Sequence, residues 1–134
     1  MHTRELVVIG RPVSQQARRR ERLREWKDRV RTTALRDWSN TRAETAAKVA
    51  LTLFHLYRDA ALDIDNIIKP VQDALVGLAF EDDRQVSDLV VRTRPLGTMF
   101  RVESFSAVLA AAIDSGNELI YVRIEAAPAA DVLE

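Results

Sequence analysis

The 134-residue chain is predicted to fold as a small α/β (α+β) domain, a mixed β-sheet with helices packed on it. Three observations lead there. Short β-branched runs alternate with segments of helical periodicity in the order β-α-β-α-β-α-β, the pattern of a layered sheet-and-helix domain. The length suits one domain over residues 1–134, with a core of its own, and no linker, repeat or low-complexity tract divides it. The proportions of apolar (47%) and charged (30%) residues are those of an ordinary globular protein.

Leu6 to Ile9 is a short apolar run stopped by Gly10 and Pro12, a strand followed by a turn. Ser14 stands where it would cap a helix over Gln15–Trp38, in which Leu23, Trp26, Val30, Ala34 and Trp38 recur at helical spacing. That stripe puts both tryptophans in the core rather than on show as platforms for stacked bases. Asn40 to Glu44 reads as a polar loop. Ala47 to Tyr57 is apolar at both alternating positions, as a central strand covered on both sides would be. His55, inside it, is expected as a core or edge histidine rather than a general base. Asn66 to Leu78 is a helix with Ile67, Val71, Ala74, Leu75 and Leu78 inward, ended at Gly77 or just after. Pro70 in its second turn removes a helical hydrogen bond. Val86 to Thr93 is a strand stopped by Pro95 and Gly97, and Ser104 to Asp114 a short helix capped by Ser104. Leu119 to Ala126 is the last strand, and the tail from about residue 127 is expected to fray.

Composition removes several chemistries. With no cysteine, disulfides, thiolate metal sites and a cysteine nucleophile are excluded, and His2 and His55 are too few for a zinc site. No apolar leader or run of membrane-spanning length appears, so the expectation is a cytoplasmic protein without a membrane partner. The zero net charge conceals a division. Residues 1–48 hold 13 Lys and Arg against 6 Asp and Glu, and residues 49–134 hold 7 against 14. A basic arm beside an acidic centre suits a protein that grips a polyanion and sets a metal on it, although basic and acidic faces that neutralise one another would give the same count.

The acidic centre is "DIDNIIKPVQDALVGLAFEDDRQV", Asp63 to Val86. In an extended segment Asp63 and Asp65 point to the same side. The helix that follows sets Asp65, Lys69 and Asp73 along one stripe, opposite the apolar one. Asp82 and Asp83 arrive at its far end, and a strand starting there and running back beside the one ending near Tyr57 would return them to Asp63 and Asp65. Three hard oxygen ligands, no sulfur and a nearby lysine describe a site for Mg²⁺, with Mn²⁺ as a substitute, completed by water and phosphate oxygens. A plainer reading also fits: Asp65 as helix cap, Asp65 with Lys69 as an i,i+4 ion pair, and "EDDRQ" as a solvated turn.

This stretch resembles the signature of the RusA-like family of Holliday-junction resolvases, the crossover junction endodeoxyribonucleases. In that family Asp-x-Asp-Asn-x-x-Lys is followed by Asp-Ala-Leu and then Asp-Asp-x-Gln-Val. Asp63, Asp65, Asn66, Lys69, Asp73, Ala74, Leu75, Asp82, Asp83, Gln85 and Val86 fill every position. A proline after the lysine is common there, and "VVIGRPVS" is similar to the family's opening. The resemblance implies a Mg²⁺-dependent, homodimeric endonuclease that nicks four-way DNA junctions symmetrically, one strand per subunit. It makes Asp63, Asp65 and Asp83 the catalytic carboxylates and metal ligands, Asp82 a possible fourth ligand, Lys69 the catalytic lysine and Asn66 a supporting residue. Arg18, Arg19, Arg20 and Arg22 match no family motif; their place in a basic helix makes them the expected DNA contacts, against the alternative of a solvated face. Two other functions keep the same fold: a module that grips branched DNA without cutting, and a dimeric subunit whose acidic cleft takes a basic protein.

Overall fold

Alternating apolar residues pair four strands, and the order of pairing puts the last strand of the chain inside the sheet. The computed structural model describes residues 2–39, 41–101 and 105–133. The elements are β1 (Arg4–Ile9), α1 (Arg20–Asp37), β2 (Val49–Tyr57), α2 (Ile64–Leu75), a 3₁₀ turn (Asp83–Gln85), β3 (Val86–Pro95), α3 (Ala107–Asp114) and β4 (Leu119–Ala126). The sheet runs β1-β4-β2-β3. β4 is antiparallel to both neighbours, whereas β2 and β3 are parallel. This is a small α+β domain with three helices on a mixed sheet, as the pattern predicts.

The parallel pair corrects one expectation. β3 does not run back from the end of β2; Val86 lies beside Val49 and Pro95 beside Tyr57. Parallel neighbours need a crossover, and α2 supplies it, carrying the chain back along the sheet before β3 begins.

Alternation in every strand gives the sheet two different faces. Leu6, Val8, Leu51, Leu53, Val122 and Ile124 point to one, where they meet Trp26 and Val30 of α1 and Ile67 and Val71 of α2 in the main core. Both tryptophans are buried there, as their spacing requires, and so is Phe80. The other face is only partly covered. Leu56, Leu119 and Tyr121 pack under α3, but Thr52, Phe54, Arg92 and Arg123 line open clefts. The expectation of a β2 covered on both sides therefore holds for one face and for one end of the other.

Two element ends differ from the sequence reading. α1 begins at Arg20, not after Ser14, whose hydroxyl instead accepts the Gln16 N–H (3.0 Å) in a tight turn. Arg19 and Arg20 consequently stand at the cap and first helical position, at the positive end of the helix dipole, with Glu21 in the same turn to offset them. At α3 the expected cap, Ser104, lies outside the described residues, as does Asn40 of the first loop. Ser106 caps α3, accepting the Leu109 N–H at 3.0 Å. α2 starts two residues early and stops at Leu75, with Gly77 at φ +86° just beyond. The tail folds back far enough for the Ala127 N–H to reach the Lys48 carbonyl (3.1 Å), while Leu133 stays exposed. Among the described residues no helix is long and apolar enough to cross a membrane.

Candidate active site

The acidic centre is assembled from three pieces: the N-terminus of α2, its middle, and the turn before β3. Asp63 is the cap position of α2 with extended backbone, but its side chain makes no capping bond. Asp65 lies in the first helical turn, so the extended two-residue alternation stops short of it. Both are exposed, and among the described residues neither is in an ion pair. A carboxylate here sits at the positive end of the helix dipole, which offsets part of the repulsion between the two. The plainer reading of Asp65 as the cap and as the partner of Lys69 does not describe this arrangement.

Lys69 turns the other way. Its Nζ lies 2.9 Å from Asp73 Oδ1 and 3.2 Å from Asp83 Oδ2. Those two carboxylates, Asp73 first, raise its pKa above the ordinary lysine value, so it is a cation at neutral pH. Asp73 also takes Lys27 of α1 (3.2 Å). A ladder of alternating charge, Lys27–Asp73–Lys69–Asp83, thus joins α1, α2 and the turn.

The turn is held by a residue that the sequence reading quoted only as part of a motif. Gln85 is buried, and its amide oxygen accepts the N–H groups of Glu81 (2.9 Å) and Asp82 (3.0 Å). Its amide nitrogen donates to the carbonyls of Glu44 (2.9 Å) and Ala47 (3.0 Å). One side chain therefore fixes the acidic turn to the loop before β2 and sets where Asp83 starts. A single glutamine has no periodicity, so its only trace in the sequence is its fixed place after the paired aspartates. Asp82 is committed to the same turn: it accepts the Arg84 N–H (2.9 Å) and its Oδ2 lies 2.7 Å from the Arg84 guanidinium. Arg84 holds the Asp82 carboxyl well below the usual carboxylate range.

Asn66 links this centre to the basic arm. Pro70 has no N–H to give the Asn66 carbonyl four residues before it, and the Gln15 N–H takes that carbonyl instead, at 3.1 Å. The proline expected to weaken the helix is what leaves the docking point free. The docked segment opens onto a cleft of about 330 Å³ lined by Arg11, Ser14, Arg18, Arg19 and Arg22. Three of the four predicted DNA-contact arginines thus line one cleft beside the Asp65 end of α2. Arg20 does not; it reaches back to the Gln15 carbonyl (3.4 Å).

Arg11 also shapes the approach to Asp63. It donates to the Ala60 carbonyl (2.6 Å) and to Glu118 (3.1 Å). Glu118 in turn meets His55 Nε2 at 2.8 Å, while His55 Nδ1 is buried with no partner among the described residues. His55 is fully buried, and desolvation lowers its pKa more than Glu118 raises it. It is the core histidine expected of a central strand, with one nitrogen satisfied.

The donor set, Asp63, Asp65, Asp82 and Asp83, has the hard oxygen chemistry that Mg²⁺ or Mn²⁺ takes. Among the described residues, however, no three acids stand together as a metal site. Lys69 holds Asp83, and Arg84 holds Asp82. The arrangement unites Lys69, Asp73 and Asp83, and leaves Asp63 and Asp65 at the near end of α2.

No curated protein is a significant match to the chain. A family model, endodeoxyribonuclease RusA, matches residues 9–103, from the end of β1 across α1, the acidic centre and β3. That span is more than half of the sequence and contains every residue of the site, and on it the chain belongs to the RusA family of endodeoxyribonucleases.

Proposed function

We propose that this protein is a metal-dependent endonuclease that resolves four-way DNA junctions by paired nicks, acting as a homodimer in DNA recombination and repair. The single observation that carries this reading is the filled acidic and lysine set inside the family match, Asp63, Asp65, Lys69 and Asp83, beside an arginine-lined cleft. Asp63, Asp65 and Asp83 would hold Mg²⁺, with Asp82 as a further oxygen donor. The bound cation would supply charge neutralisation at the phosphate and a more acidic water.

The chain's own groups carry the remaining work. Arg18, Arg19 and Arg22 draw the phosphate backbone to the Asp65 end of α2, and the arginine charge offsets the repulsion between phosphate and carboxylate. In the hydrolytic step water adds an oxygen to phosphorus and loses a proton, one ester P–O bond breaks, and the departing oxygen takes a proton. Lys69 contributes positive charge where the phosphoryl oxygens gain negative charge. For this Asp83 must leave Lys69. The pair is half-exposed, and such ion pairs contribute only about 0–1 kcal/mol, so the exchange costs little.

The test incubates the protein with a labelled synthetic four-way junction in Mg²⁺, in Mn²⁺ and in EDTA, with Asp65→Asn alongside. Paired symmetric nicks that need metal and vanish in Asp65→Asn, with junction binding retained, are the expected result. Nicking by Asp65→Asn at the wild-type rate would remove Asp65 from the site. A second reading, a module that binds junctions without cutting, is favoured by the separation of the acids. Tight binding with no nicks in either metal would select it.

A further inference from the structure

The face of the sheet away from α1 and α2 carries a feature that the acidic centre does not use. Register alignment puts Tyr121, Phe54 and Arg92 in one row across β4, β2 and β3, and Arg123, Thr52 and Val90 in the next. This face forms a trough of two joined clefts, of about 420 Å³ and 360 Å³, that share Thr52, Arg92 and Arg123. The two ends differ in charge. Among the described residues the larger cleft is lined by Arg92, Arg94, Arg101 and Arg123 with no acidic residue, whereas Asp88 and Glu125 line the smaller one. Among the described residues Arg92, Arg94 and Arg101 are in no ion pair, and Arg123 meets only Glu125, at 3.4 Å.

Aromatic rings line the same end. Phe100 stands edge-on to Phe54 with ring centres 5.7 Å apart, and Phe105 is 42% exposed at the rim. Tyr121 lines the same cleft, with its hydroxyl donating to Glu5 at 2.5 Å. Four guanidinium groups attract phosphates, and open phenyl faces give flat apolar surface to a base. A duplex hides its base faces in the stack, so only unpaired nucleotides satisfy both halves of the cleft. A second copy of this chain fits less well, since a two-fold contact at this end sets arginine against arginine.

We infer that this cleft binds an unpaired DNA strand, its phosphates on Arg92, Arg94, Arg101 and Arg123 and its bases against Phe100 and Phe105. The inference deepens the reading of the chain as a DNA-acting enzyme and rests on it. It gives the protein a second contact with DNA, on the sheet face opposite α1 and α2, for strand opened at a branch point.

The experiment measures binding of a fluorescein-labelled oligothymidylate across a salt series, for wild type and for Arg92→Ala, Arg101→Ala and Phe105→Ala. Each arginine variant is expected to lower the slope of log K against log salt by about 0.7. Phe105→Ala is expected to weaken binding about tenfold with the slope unchanged. Ultraviolet crosslinking of the wild-type protein to the same probe, mapped by peptide mass, avoids any effect of substitution on folding; crosslinks at Phe100 or Phe105 are expected. Crosslinks confined to other segments, with all three variants binding as wild type, would overturn the inference. So would a change of oligomeric state in Arg92→Ala, seen by light scattering, without a change in affinity, because a second copy would then cover the face. Junction nicking by a wild type whose oligothymidylate binding ignores all three substitutions would remove this inference and leave the endonuclease reading. Crosslinked, Arg92-dependent binding without junction nicking would do the reverse.

Discussion

Gln85 shows how much a single side chain can organise. It satisfies two N–H groups and two carbonyls at once, and removing it strands those groups in a partly buried place. Gln85→Ala is expected to lower stability by about 1–3 kcal/mol, measured by urea unfolding, and to reduce nicking further by freeing Asp83. An unchanged unfolding midpoint would show that water replaces the amide. His55 makes a different prediction. Burial lowers its pKa from the ordinary 6.5, so the folded protein binds fewer protons than the unfolded chain once the pH drops toward that value. Its contribution to stability is complete above the unfolded pKa and is lost as the pH falls through the folded one. The urea midpoint is therefore expected to decline from about pH 7 to pH 5.5, and His55→Gln to flatten that decline. A slope that persists in the variant would assign the titration to other groups.

Among the elements, α2 is where local rule and tertiary structure bargain most openly. Pro70 breaks one helical bond, and the basic arm docks on the carbonyl it frees. In Pro70→Ala the new N–H competes for the Asn66 carbonyl. Hydrogen exchange at the Gln15 amide is then expected to speed up about tenfold, the loss of one hydrogen bond of about 1.4 kcal/mol. Unchanged protection of Gln15 would mean that other contacts hold the arm. This docking could not be read from the sequence, because Gln15 and Asn66 lie far apart and neither has a partner within its own pattern. The local signals fared better. The apolar stripe of α1 matches its buried residues, and β4 runs from Leu119 to Ala126 as read. The start of α1 was missed because helical periodicity marks the apolar stripe, whose first buried member is Leu23, and has no information about how many polar turns precede it.

For the molecule as a whole, the sequence disclosed composition and chemistry more readily than adjacency. The motif names the acids and Lys69 as candidates, Asp65, Lys69 and Asp73 being successive helical turns and Asp82 and Asp83 neighbours in the chain. It did not indicate that β3 would lie parallel to β2, because alternation says which face a residue takes and nothing about which strand stands beside it. The basic and acidic halves also resolve into geometry. Arginines of the first half line a cleft at the Asp65 end of α2, while four others converge on the far side of the sheet. The order β1-β4-β2-β3 has a kinetic side as well. β1 is made early, yet its one neighbour is the strand made last, so neither β1 nor the inner edge of β2 can close until β4 is available. Such long-range pairing slows folding and leaves open strand edges in the meantime. Arg4 lies opposite Ile124, with the tail just beyond, so joining the two termini through that tail would make β4 and β1 a hairpin. A circular permutant opened in the segment between β3 and α3 would then pair its strands in near-sequential order. Stopped-flow refolding of that permutant is expected to be faster than that of the native order, with the same sheet at the end.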